Sequence, residues 1–132
     1  IILATTTNSQ EKVSDILTMK ELIETQSLVR EMPVGESVVD GILKLVRRAR
    51  PGDDAPQNVN DYVSWPPGPR ASQALMLACR AKALLEGRSA PSVDDVVDLA
   101  DPVLKHRMAL NYQARANGVS LSDVIHELTS DL

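Results

Sequence analysis

The chain has 132 residues, carries a net charge of −4, and is 43% hydrophobic and 24% charged. That length suits one domain with a modest core, and the acidity argues against a dominant nucleic-acid role, which needs a basic face. With only 2% aromatic residues, no Phe, one Trp and two Tyr, the core must be built from Leu, Val, Ile, Ala and Met, which suits packed helices better than a sheet.

Ile1 to Thr6 reads as the end of a helix begun upstream, and Asn8 to Asp15 as a polar connector. The stretch Ile1 to Thr6 has no basic n-region and no initiator Met, so the chain is expected to be a piece of a longer protein. Thr18-Met19-Lys20-Glu21 is a capping-box pattern. The helix it opens carries Leu22, Ile23, Leu28 and Val29 and stops before Pro33. A second helix is predicted over Glu36 to Arg50, where Val38, Val39, Ile42, Leu45 and Val46 recur at helical spacing. Arg47, Arg48 and Arg50 close it with charges that suit the dipole, and Pro51-Gly52 ends it.

Asp53 to Pro67, with three prolines, three Asp and two Asn, is expected to be an extended loop, with Trp65 pinning it to the bundle. The third helix is predicted from Pro69 to about Glu86, with Gly87 closing it. Its apolar stripe is read as Ala74, Leu77, Ala78, Ala81, Leu84 and Leu85. Ser92 caps a fourth helix with Asp94 and Asp95 in its first turn, and Asp101-Pro102 is expected to restart that helix. Asn117-Gly118 signals a turn, and Ser120 caps a last helix bearing Leu121, Val124, Ile125 and Leu128. No strand is expected. The predicted fold is a single all-α domain over residues 1–132, a small bundle of about five to six helices, with residues 1–15 as a leading linker.

Arg70 is the residue that stands out chemically. It follows Pro69 in the first turn of a helix, where the dipole disfavours a cation by roughly 0.3–1 kcal/mol. An arginine beside free helix amides suits a phosphate, with Gly68 and Pro69 supporting the helix start. On spacing alone, a solvated surface arginine is the more ordinary outcome, or one paired weakly with an acid of the Asp53–Asp61 stretch. Lys105-His106-Arg107 is either a favourable helix C-terminus or a contact for a neighbouring subunit or a phosphate. No phosphate-binding loop occurs. His106 and His126 lie too far apart to suggest a metal pair, and no spacing supplies the three or four ligands of a zinc site, so no metal is expected. Cys79, the one cysteine, rules out an internal disulfide, fits a reducing cytoplasm and is expected to be a small buried hydrophobe. Ser72 has no His or Asp partner for a hydrolase triad. No apolar run approaches the roughly 18 residues of a membrane span.

Gly68-Pro69-Arg70-Ala71-Ser72-Gln73-Ala74-Leu75, then Leu84-Leu85-Glu86-Gly87-Arg88, then Ser92-Val93-Asp94-Asp95-Val96, then Pro102-Val103-Leu104-Lys105-His106-Arg107 follow one another in that order. Together they resemble the C-terminal lid domain of MoxR-type AAA+ ATPases, and Thr18 to Arg50 resembles the helix pair that opens that lid. The resemblance implies that Arg70 is the sensor 2 arginine, which reaches the terminal phosphates of ATP. Relatives often carry Gly-Ala-Ser before the Pro-Arg pair, whereas this chain has Pro66-Pro67-Gly68. It further implies a parent that hydrolyses ATP with Mg, with the catalytic motifs in an upstream α/β domain, so no catalytic residue and no cofactor is expected within this piece alone. Implied partners are that upstream domain, neighbouring subunits of a hexamer and von Willebrand factor A-domain proteins, in a chaperone-like remodelling ring in the cytoplasm. The residues by themselves also allow an independent helical protein–protein adaptor. A helix-turn-helix DNA reader with the Pro69 helix as its recognition helix is a third possibility, disfavoured by the net acidity.

Overall fold

The computed structural model describes residues 14–132; the expectations for Ile1 to Thr6 and for the start of the connector lie outside them. In chain order come α1 (Met19–Glu31), α2 (Glu36–Arg48), α3 (Gln57–Tyr62), β1 (Val63–Trp65), α4 (Pro69–Leu85), α5 (Val93–Leu104), β2 (Ala109–Leu110), α6 (Tyr112–Ala116) and α7 (Leu121–Thr129). The all-α architecture is as expected, with seven helices among the described residues rather than five to six. The two extra helices, α3 and α6, are short.

Local chemistry sets most boundaries. At α1 the Thr18 hydroxyl accepts from the Glu21 amide at 3.2 Å, and the Glu21 carboxylate accepts from the Thr18 amide at 2.7 Å. Ser120 and Asp123 repeat the same reciprocal pair at α7, at 3.2 and 3.0 Å. Each such pair satisfies amides that the helix itself leaves without partners. At the other end of α4, Gly87 takes φ +71°. Its amide donates to Leu84 O and the Arg88 amide to Ala83 O, the left-handed closure that glycine allows without steric cost. Gly118 turns the chain the same way at φ +72°.

Four expectations need correction. The 53–67 stretch is not an extended loop, because it contains α3 and β1. The Asn60 side chain accepts from the Gly52 amide at 2.9 Å and donates to Gly52 O, and Val59 is fully buried. A polar, proline-rich segment is thereby folded by its own side-chain bonds and two apolar anchors, Val59 and Val63. Strands do exist: β1 pairs antiparallel with β2, Val63 opposite Leu110 and Trp65 opposite Ala109. They are two or three residues long, too short for an alternating pattern to declare itself.

Asp101-Pro102 does not restart a helix. Pro102 lies inside a continuous α5, where it forfeits one amide bond less than a turn from the helix end. The buried row of α4 is Ala71, Leu75, Cys79 and Ala83, whereas Leu85 of the predicted stripe is 85% exposed. In a helix with apolar residues on several faces, periodicity cannot choose among neighbouring i, i+4 rows.

The core lies between α2, α4, α5 and α7, with Leu45, Leu75, Leu104 and Ile125 fully buried. Cys79 is buried among them, as expected, and burial pushes its thiol up to about 11. α1 differs from the rest in burying no residue: Met19, Leu22, Ile23 and Leu28 are all exposed.

Candidate functional site

Arg70 is the second residue of α4 and is exposed. The chain before it is held from below. Pro67 is fully buried, and the Arg50 guanidinium lies against Pro67 O at 3.5 Å. Gly68 caps α4 in an ordinary extended conformation without a side-chain bond, Pro69 is the first helical residue, and the Ala71 amide donates to Gly68 O at 2.9 Å. Ala71 itself is 1% exposed. Arg70 is thus an exposed residue between two buried anchors, Pro67 and Ala71. A Cβ built on Gly68 would meet nothing within 4 Å, so the space in front of the helix start is open.

That space is a cleft of about 730 Å³ lined by Trp65, Gly68, Pro69, Arg70, Ala71 and Arg107. It contains two arginines and no acid. Among the described residues neither arginine makes an ion pair, so the pairing of Arg70 with an acid of the Asp53–Asp61 stretch does not occur there. Trp65 is 71% exposed. It does not pin its segment to the bundle; Val59 and Val63 do that, and Trp65 forms a wall of the cleft instead.

In the sequence Arg107 is not separable from Lys105 and His106, and the triplet as a whole reads as a helix C-terminus or as a contact for a subunit or a phosphate. The structure separates them. Lys105 is held by Asp101 one turn earlier at 2.9 Å, while Arg107 faces the cleft. One signal was available: Lys105 has an acid at i−4 and Arg107 has none at i−3 or i−4. Its convergence with Arg70, however, is created by the β1–β2 pairing.

A second polar cluster lies at the far end of α4. Asp95, 1% exposed, accepts from Arg88 Nη2 at 2.7 Å, from Lys82 Nζ at 2.9 Å and from the Ser92 amide at 2.8 Å. Arg88 also pairs with Glu86 at 2.6 Å, and Lys82 with Asp98 at 2.6 Å. The Arg88 guanidinium, with Lys82 and the Ser92 amide, holds the Asp95 carboxyl well below the usual carboxylate range against the opposing effect of burial. The buried Asp95 carboxylate is satisfied from within the chain. The cluster is a brace between α4 and α5, its cations drawn onto a buried carboxylate. Among the described residues no group of three or more His, Cys, Asp or Glu could hold a metal ion, and no helix is long and apolar enough to cross a membrane.

The AAA lid domain family model matches residues 56–128, which include both arginines of the cleft. This chain belongs to the AAA lid domain family. Within it the lid is of the MoxR type. It is 30% identical over 118 residues to the Chaperone MoxR1 of Mycobacterium tuberculosis, covering 89% of this chain and 31% of the relative. It is 28% identical over 120 residues to the uncharacterized protein YeaC of Bacillus subtilis, covering 91% of this chain and 35% of that protein. The lid thus spans about a third of the length of the curated relatives it matches. A crystal structure of a Cytophaga hutchinsonii protein assigned as an ATPase superposes on 97% of the lid and 39% of its own chain, with a TM-score of 0.84 at 22% identity. At that identity the likeness establishes the fold, and it extends over α1 and α2, which the family model does not match.

Proposed function

We propose that this lid completes the nucleotide site of a longer MoxR-type AAA+ ATPase and that Arg70 is its sensor 2 residue. The observation that carries the proposal is the cleft at the start of α4: an exposed arginine on a fixed backbone, facing space that no acid among the described residues lines. A guanidinium in such a place is suited to bidentate contact with phosphate oxygens. Arg70 senses ATP because the terminal phosphate carries charge that ADP lacks. Loss of that charge on hydrolysis weakens the hold, and the lid turns as a rigid body against the ATPase domain. Gly68 and Pro69 serve by ending the preceding segment and starting α4 without covering the approach.

The remaining parts of the reaction belong to the upstream α/β domain, including the Mg that accompanies ATP. The exposed apolar residues of α1 fit a face that meets this domain. The likeness to a protein named as a chaperone supports reading the parent as a remodelling ATPase; the resemblance to MoxR-type lids implies, beyond that, a hexameric ring working in the cytoplasm with von Willebrand factor A-domain proteins.

The test is ATP turnover by the full-length protein. Arg70→Ala should lower it roughly 10²–10³-fold, the range for removing one group that stabilises developing charge. Unchanged turnover would remove Arg70 from the site, and a full-length protein without ATPase activity would favour the independent adaptor.

A further inference from the structure

Among the described residues, Arg70 and Arg107 line one cleft with no carboxylate beside them. The chain's net charge is −4, and its other clusters of cations are mixed with acids. The groove of Lys44, Arg47 and Arg48 also contains Asp40 and Asp54, and Lys82 and Arg88 close on Asp95. Only at the start of α4, among the described clefts, do two arginines line the walls with no carboxylate beside them.

Arg107 is placed there as firmly as Arg70. Leu104, fully buried, ends α5 on one side of it, and Met108, 6% exposed, follows on the other. Its own amide donates to Leu104 O at 2.8 Å, closing the turn. Two residues later Ala109 pairs opposite Trp65, and the Ser64 hydroxyl donates to Ala109 O at 3.1 Å. That ladder ties the segment bearing Arg107 to the segment leading into Arg70. Arg107 is also half-buried, so an anion bound there would be less screened by water than at an exposed arginine. Both arginines line the same cleft, and neither makes an ion pair among the described residues.

We propose that Arg107 is a second polyphosphate-binding residue, acting with Arg70 on the same nucleotide. It rests on the reading of Arg70 as a phosphate-facing residue and adds a contact from a different element, the α5–β2 turn. A nucleotide phosphate chain is therefore gripped from two sides, and the lid follows the nucleotide through both the helix and the turn.

The experiment titrates fluorescent N-methylanthraniloyl ATP and ADP into the full-length protein and its Arg107→Ala, Arg107→Lys and Arg70→Ala variants. Arg107→Ala should weaken the ATP analogue about tenfold or more, as expected for loss of a charge-assisted contact. The ADP analogue should weaken less, and Arg107→Lys should fall between, keeping charge without the fork. Wild-type affinity in Arg107→Ala with weakened binding in Arg70→Ala overturns the role of Arg107 and leaves that of Arg70 standing. Wild-type affinity in both overturns both. Loss in Arg107→Ala alone overturns the shared site. Should Arg107→Ala fail to fold, Arg107→Lys and Arg107→Gln, checked by circular dichroism, decide: equal affinities for wild type and Arg107→Gln overturn the proposal.

Discussion

The two ends of α4 use the same side-chain chemistry for opposite purposes. At its C-terminal end, Arg88 and Lys82 converge on a buried carboxylate and are consumed by it. At its N-terminal end, Arg70 shares a cleft with Arg107 and meets no acid there. Cations with internal partners brace a fold. On the reading proposed above, the cations of the cleft are left for a ligand. Counting arginines would not separate the two cases; their partners do.

The comparison is broken most strongly at the brace. Asp95→Asn removes the charge that three donors share and should destabilise the chain by roughly 2–4 kcal/mol, the loss of one or two hydrogen bonds to charged groups. Urea denaturation measures it, and a change below about 1 kcal/mol would mean that the brace contributes little. The same carboxylate makes stability depend on pH. Its folded pKa lies below the ordinary 3.8, so near and below that value the unfolded chain binds more protons. The stabilisation is complete above pH 3.8 and is lost as pH falls below it. Denaturation at pH 5 and pH 3 should show a smaller acid loss in Asp95→Asn than in the wild type. An equal loss would assign acid sensitivity to other carboxylates. Cys79 sharpens the contrast from inside the core. With its thiol pushed up to about 11, chiefly by burial and then by the Asp95 charge, it should resist iodoacetamide at pH 8 until the chain opens. Labelling should be faster in Asp95→Asn than in Arg70→Ala; the reverse order would place the weaker region at the cleft.

Much of the fold was legible because it is set locally. Thr18 with Glu21, Ser120 with Asp123, and Pro69 and Gly87 at the two ends of α4 act within a few residues of themselves, and they mark helix ends where the structure has them. What was illegible depends on partners far along the chain. β1 and β2 are defined only by each other. The exposure of Trp65 depends on Val59 and Val63 taking the anchoring role. Asp95 looked like an ordinary first-turn acid, and its burial under Lys82 and Arg88 follows from how α4 packs on α5. The same division holds at the site. Pro69-Arg70 is a local signal, whereas Arg107 joins it only through the sheet.

The central claim is that the cleft arginines serve a ligand and not the fold. The most direct test measures unfolding free energy and ATP turnover on the same full-length Arg70→Ala protein. Stability should stay within about 0.5 kcal/mol of wild type, as for an exposed side chain without partners, while turnover falls by the 10²–10³-fold given above. Turnover at the wild-type level, or a loss of stability large enough to explain the lost turnover, would contradict it.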